Sequence, residues 1–288
     1  MPLIEVQHHH AHLAACLAEH RYPVEAPPVL GLILDGSGQA PADSPHPLWG
    51  GEILLADYRR YRRLDGLPAV ALPGGEQAAR EPWRNLLAHL DRWAPGWEQL
   101  DSPALNSLQQ RPLVTLRAMI AQRLNAPPAS SCGRLFDAVA ALLGIAPERL
   151  SFEGQAALRL ESLAGRADPL QVPPLQPVPG PLTLDRLWAR LLQGLAQTTP
   201  ATLALSFHLW LADLLGERLM ALARQQHVDT LALGGGCLQN ALLQSALRTR
   251  LEHAGFRVLI PRQLPAGDGG LALGQAVAGR LQREADHG

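Results

Sequence analysis

The sequence predicts an α/β fold, a sheet covered by helices, on three observations. A short apolar run, Val29 to Leu34, leads directly into a glycine turn, Asp35-Gly36-Ser37-Gly38. Strand-like and helix-like stretches alternate over the last third, from Thr230 to Arg283. Of the 288 residues 47% are apolar, enough for one large core or two small ones.

The elements follow in order. His8 to about His20 is rich in Ala and Leu, with Leu13 and Leu17 on one helical face, and Tyr22-Pro23 ends it. Val29 to Leu34 is bounded by prolines and by the glycine turn, as a buried strand is. Gly51 to Leu55 and Tyr58 to Leu64 are two further strands, stopped at Asp65-Gly66. Three helical stretches follow, Glu76 to Trp93, Arg111 to Leu124 and Ser131 to Leu143. Six prolines, Pro169, Pro173, Pro174, Pro177, Pro179 and Pro181, mark an extended connection near residues 166–182. Helices are then expected at Thr183 to Leu195 and Leu203 to Arg224, a strand at Thr230 to Leu233, a helix at Leu238 to His253, a strand at Arg257 to Ile260 and a helix at Leu271 to Arg283.

Composition excludes several classes of function. Twenty-five basic residues against 26 acidic ones leave no global field to draw in nucleic acid or an anionic membrane. No apolar run reaches the ~18 residues of a spanning helix, so a soluble protein is expected. Cys16, Cys132 and Cys237 are odd in number and lack CxxC spacing, which suits reduced thiols in a cytoplasm. A Walker A loop needs a lysine, and the chain has none.

The densest chemical signal is His8-His9-His10-Ala11-His12. On a helix His8 and His12 share a face and could share a metal, whereas His9 and His10 point elsewhere. A solvated, tag-like cluster is the other reading, although a tag would not continue into an amphipathic helix. Asp35, at the end of a buried strand, and Asp268, in a Gly-rich turn before the last helix, could join the histidines around a divalent ion. Each aspartate alone reads as a turn or cap residue. Gly234-Gly235-Gly236 lies between a strand and a helix, where backbone N–H groups and the helix dipole can meet a nucleotide, or where the chain simply turns. Asp137 and Glu153-Gly154 are acids near glycine turns, as ribose hydroxyls require, and Asp137 reads equally as a helix-dipole partner. Cys132 and Cys237 open helices but have no adjacent histidine, so burial is the plainer role. Tyr58-Arg59-Arg60-Tyr61-Arg62-Arg63 mixes aromatics with Arg as single-strand binders do, but in a strand these side chains split between two faces and suit an exposed edge.

Taken together, VQHHHAH, LDGSG, LWGGEIL, LPGGEQAAREPWRNLL, SSCGRLFDAVAALLG, SFEGQAAL, LALGGGCLQN and LPAGDGGLALGQ resemble the C-terminal carbamoyltransferase part of the HypF family of [NiFe]-hydrogenase maturation proteins. The likeness covers nearly the whole chain and is weakest between Ala164 and Ala201. It implies a TsaD-like member of the actin, Hsp70 and sugar-kinase (ASKHA) superfamily. Residues 1–28 would then be the metal-binding helix of an incomplete first lobe, and 29–288 the second lobe with helical insertions.

The resemblance also implies the chemistry: transfer of a carbamoyl group from carbamoyl-adenylate, made from carbamoyl phosphate and ATP, to the C-terminal cysteine thiol of HypE. His8, His12, Asp35 and Asp268 would hold a divalent metal, Fe, Zn or Mn, and Asp137, Glu153, Gly154, Gly235, Gly236 and Asn240 would contact the adenosine side. The acylphosphatase, zinc-finger and adenylate-forming parts of HypF have no counterpart here, so a longer chain or a companion chain is expected to supply them. Three alternatives stand beside this one: a nucleotide- and partner-binding fragment without turnover, and a carbamoyltransferase acting on a tRNA base or on a small-molecule hydroxyl.

Overall fold

A computed structural model describes residues 3–176 and 179–286. Pro177 of the predicted connection and the outermost residues of the two predicted domain spans lie outside them.

The helix α1 (His8–Glu19) comes first, its amino end capped by Gln7, whose side-chain oxygen accepts from the His10 amide. Strands β1 (Val29–Gln39), β2 (Leu48–Ala56), β3 (Tyr61–Gly66) and β4 (Val70–Ala71) follow. Then come α2 (Glu76–Arg80), α3 (Pro82–Trp93), α4 (Pro103–Gln109), α5 (Leu113–Ala121), β5 (Pro128–Ala129), α6 (Cys132–Leu142) and α7 (Gln155–Ala164). After the proline-rich connection the chain forms α8 (Asp185–Gly194), α9 (Pro200–Gln225), β6 (Thr230–Gly234), α10 (Ala241–His253), β7 (Arg257–Leu259) and α11 (Leu271–Asp286).

The seven strands make one mixed sheet in the order β4-β5-β2-β1-β6-β7, with β3 also paired to β2. β1 is antiparallel to β2 and parallel to β6, so it sits at the centre and carries the carboxyl end of the sheet toward the β6 turn. Side chains alternate across it as strand geometry demands. Leu30, Leu32 and Leu34 join Leu231, Leu233, Phe136 and Phe207 in the larger core beneath α3, α6 and α9. Val29 and Ile33 join Leu13, Leu17, Leu54 and Ala232 in a second core beneath α1.

α1 thus lies on the sheet itself, and α11 packs beside it. A Cβ on Gly274 of α11 would sit 1.9 Å from the Ala11 carbonyl oxygen, so glycine permits this close crossing and any side chain would force the helices apart. The helix of the expected first lobe, residues 1–28, thus packs directly on the sheet of the expected second, 29–288, sharing a core with β1, β2 and β6.

Several elements depart from expectation for identifiable reasons. β1 does not stop at Leu34; it runs on through Asp35-Gly36-Ser37-Gly38 by a register shift and resumes pairing at Gly38↔Trp49. The predicted helix Glu76 to Trp93 is two helices, because Pro82 lacks the N–H that would continue the first. α9 starts three residues early, at Pro200, with the Thr199 side chain as cap. α10 starts at Ala241 after a 3-10 turn over Gly236–Gln239. The helix dipole is therefore not at the glycine turn where the sequence placed it. Among the described residues no helix is long and apolar enough to cross a membrane.

Candidate metal and nucleotide site

His8 and His12, one turn apart on α1, face the bulge of β1. Their Nε2 atoms are 3.2 Å apart and lie 2.9 Å and 3.1 Å from Asp35 Oδ2. The other Asp35 oxygen accepts from the Gly36 amide (2.8 Å) and the Gly236 amide (3.3 Å), which fixes the carboxylate with one oxygen turned to the histidines. Asp268 Oδ1 completes the group at 3.5 Å from His8 and 3.4 Å from His12. All four donor atoms lie within 4.8 Å of one another. Gly38, in the glycine turn, matters to this assembly: a Cβ there would sit 2.6 Å from the His8 ring.

Burial alone would push the Asp35 carboxyl upward, but its hydrogen bonds to His12 and His8 hold it well below the usual carboxylate range. The Asp35 hydrogen bond in turn raises His8, against the effect of its burial. His9 and His10 point away, as the helical spacing requires. His10 Nε2–H donates to the Asp57 carbonyl at 2.7 Å, and burial lowers the His9 ring to about 3.

Two ring nitrogens and two carboxylates suit a divalent Zn, Fe or Mn ion. Donors each ~2.1 Å from one cation stand roughly 3.0–3.4 Å apart at right or tetrahedral angles. Five of the six donor pairs, 2.9 to 3.5 Å apart, meet that requirement; the sixth, between the two carboxylates, lies within 4.8 Å and closes with a small movement of the exposed Asp268 side chain.

Beside this cluster a cleft of about 310 Å³ is lined by Asp35 and Asp268 together with Ala157 and Leu158 of α7. Five of the six nucleotide-side candidates, Asp137, Glu153, Gly154, Gly236 and Asn240, line it. Gly235 is not among its lining residues. Its φ is +93° and a Cβ would meet the Leu34 carbonyl oxygen at 2.3 Å, so this glycine serves the seam between β1 and the turn rather than ligand space.

Asp137 is almost fully buried on α6. Arg134 Nε lies 2.8 Å from its Oδ2, close enough for an ion pair, yet the N–H is misdirected and neither atom makes a hydrogen bond. Burial therefore prevails over the Arg134 charge and raises the carboxyl to about 6. A buried acid without a hydrogen-bond partner at the wall of a cleft is equipped to receive hydroxyl donors. Asn240 differs. Its Oδ1 caps α10 at the Leu243 amide and its Nδ2 donates to His208 Nε2, so both polar ends are engaged within the protein. His208 Nδ1–H donates to the Ala204 carbonyl, which fixes that ring as an acceptor toward Asn240, and burial lowers it to about 4. His208 carries no local signal in the sequence, since its partner Asn240 comes from the start of another helix, and Arg134, though three residues before Asp137, is marked by no motif of its own chemistry.

The cysteines are free thiols. Burial pushes Cys16 up to about 12, and contact with Cys132 together with burial raises Cys237 as well. In the Tyr58–Arg63 stretch, Arg59 pairs with Glu25 and Arg63 with the fully buried Glu52 at 2.6 Å, so these arginines are committed to structure.

Known proteins bear on this geometry. The family model described as carbamoyltransferase, Kae1-like domain, second subdomain, matches residues 31–275 and so leaves α1 outside its span. Carbamoyltransferase HypF of Rhodobacter capsulatus is 42% identical over 286 residues, covering 99% of this chain and 37% of that protein. A HypF homolog of Cupriavidus necator is 38% identical, with 96% of this chain and 70% of the relative covered. A crystal structure of full-length HypF in a phosphate- and nucleotide-bound form superposes with a TM-score of 0.85 at 30% identity, covering 98% of this chain and 36% of that one. The chain thus spans little more than a third of full-length HypF proteins. A tRNA N6-adenosine threonylcarbamoyltransferase of Thermosynechococcus vestitus is 36% identical over 99 residues, a third of this chain. With α/β architecture, a mixed sheet and these relatives, the chain belongs to the HypF carbamoyltransferase family, in its Kae1-like domain.

Proposed function

We propose that this chain carries out the carbamoyl-transfer half of HypF chemistry: it holds carbamoyl-adenylate in the cleft and presents the carbamoyl group to the C-terminal cysteine thiol of HypE, toward the cyanide ligands of [NiFe]-hydrogenase. One observation carries this reading, the joining of a four-donor cluster and an unpartnered buried acid by a single cleft. The sheet is read as the second lobe of an actin-like fold, with the remaining HypF domains, on the same or a companion chain, making the adenylate in the cytoplasm.

Within this reading each residue has a distinct task. His8, His12, Asp35 and Asp268 would hold a divalent ion, Fe or Zn before Mn. When bound, that ion supplies Lewis acidity toward phosphate or carbonyl oxygens. Asp137 accepts ribose hydroxyls along the wall, with Glu153 and Gly154 beside it at the start of α7. Asn240 acts through shape, holding the turn that bears Gly236, and Gly236 in turn steadies Asp35 through its amide. The thiolate attacks the carbamoyl carbon from about 3–3.5 Å, the bond to the adenylate phosphate oxygen breaks, and AMP leaves.

Radiolabelled carbamoyl-adenylate, supplied to the purified chain with HypE, tests the reading. Label should move to HypE and not to HypE lacking its terminal cysteine. Tight adenylate binding with no label on HypE would leave a nucleotide-binding module in place of an enzyme, and failure to bind adenylate at all would remove the cleft assignment.

A further inference from the structure

α1 brings both histidines to the metal cluster, but Asp268 arrives from the far end of the chain and its side chain is 73% exposed. Its own packing holds that carboxylate weakly, so its position depends on the backbone that precedes it. That backbone is gripped by the other end of α1. Glu19, the last residue of the helix, accepts through Oε1 from the amides of Arg262 (2.6 Å) and Gln263 (2.7 Å) and through Oε2 from that of Leu264 (3.2 Å). Beside it, His20 Nε2–H donates to the Ile260 carbonyl at 2.8 Å. A third tie, from the Gly235 amide to the Ala266 carbonyl at 2.9 Å, anchors the segment just before Asp268.

We infer that Glu19 is a positioning residue for Asp268. Three consecutive amides converge on one carboxylate, an arrangement proteins otherwise use to cradle bound anions; here the anion is the protein's own. The consequence is economical. One helix fixes His8 and His12 directly at its amino end and fixes the Asp268 segment through Glu19 two turns beyond His12, about 10 Å along the axis. The ligands from the two ends of the chain are thereby referred to a single rigid element. This inference rests on the metal reading of the His8, His12, Asp35 and Asp268 cluster.

The test is a double-mutant cycle on Zn²⁺ affinity, read by competition with a chromophoric chelator. Glu19→Ala should weaken Zn²⁺ about tenfold, the lower end of what loss of an outer-shell partner costs. In an Asp268→Asn background the same substitution should change affinity less than twofold, because the ligand it positions is already lost. Hydrogen exchange at the Arg262, Gln263 and Leu264 amides should quicken in Glu19→Ala, while Glu19→Gln, which keeps an accepting Oε1, should recover part of the affinity. Equal loss in both backgrounds, or no loss with Asp268 intact, overturns the inference. If Glu19→Ala does not fold, Glu19→Gln runs through the same cycle. His12→Ala is measured alongside: unchanged Zn²⁺ affinity there means that the metal reading itself has failed, a separate result from failure of the Glu19 clasp.

Discussion

Asp35 and Asp137 line the same cleft, both nearly buried and both beside basic side chains, and their carboxyl groups are driven in opposite directions. Asp35 receives four well-directed contacts, from two imidazoles and two backbone amides, and these outweigh the cost of its burial. Asp137 has one cation at 2.8 Å whose N–H is aimed elsewhere, and burial wins. The difference lies in direction more than in proximity: charge in a low-dielectric wall is kept where hydrogen bonds point at it. The Asp35 carboxylate is thus held anionic by its partners, whereas Asp137 keeps an oxygen with no hydrogen bond.

The largest expected effect comes from dismantling the Asp35 cluster. Asp35→Asn removes a central donor and the charge that raises His8, and should weaken divalent-metal binding by about a hundredfold or more, the upper range for disturbed metal sites. AMP affinity should change much less, because Asp137 is untouched. Calorimetric titration of both ligands checks this, and parallel losses of metal and nucleotide would mean that the two carboxylates do not act separately.

Asp137→Asn attacks the other carboxylate and should act in two opposed ways. AMP should bind about tenfold more weakly when a charged acceptor for the ribose becomes a neutral one. Stability should move the other way. The folded-state value, about 6, lies above the ordinary 3.8, so the native protein holds that proton more tightly than the unfolded chain. Its contribution is full below about 3.8 and is lost as pH rises toward about 6, amounting to about 3 kcal/mol. Denaturant melts between pH 4 and 7 should show this decline in the parent protein and a flatter profile in Asp137→Asn. An identical slope in both would return Asp137 to an ordinary ionised partner of Arg134.

The contrast between the two carboxylates also explains what could be read without coordinates. His8, His12 and Asp35 are legible because their geometry is local: an i, i+4 pair on one helix and a carboxylate where a buried strand meets glycines. Asp137, too, sits in a recognisable stretch, but its missing hydrogen bond is a matter of angle that no sequence spells out. The Pro82 break between α2 and α3 is marked by the proline itself, but the apolar period runs through it and masks it. β4 and β5, two residues each, exist only by pairing with each other and with β2, so they carry no signal of their own. Gly235 shows the harder case: what a side chain there would meet, the backbone of β1, is set by the fold and by no local pattern.

A gentler perturbation asks whether the metal cluster depends on the seat of α1. Gly274→Ala places a methyl 1.9 Å from the Ala11 carbonyl, a backbone atom that cannot turn aside. Overpacking of this kind costs about 1–3 kcal/mol, and the relief is for α1 and α11 to part. Metal affinity should fall a few-fold while AMP affinity holds, since Asp137 rides on α6 in the other core. Equal weakening of both ligands would show that the helix pair supports the whole cleft.

The smallest effect is expected from the cysteines, and it bears on where the attacking sulfur originates. A thiol raised to about 12, as at Cys16, is ionised to only a few parts in 10⁵ near pH 7.5. Cys237 reaches the cleft, but its contact with Cys132 and its burial raise it too, and the Asp35 charge nearby adds in the same direction. The environment that keeps Asp35 anionic thus discourages a second anion at Cys237, and the proposed transfer is therefore expected to draw its thiolate from the acceptor. The triple variant Cys16→Ala, Cys132→Ala, Cys237→Ala should transfer carbamoyl to a thiol acceptor within about twofold of the parent, the margin allowing for slight loosening of the core. Loss of transfer, with metal content and circular dichroism unchanged, would place a covalent carbamoyl-enzyme step on this chain instead.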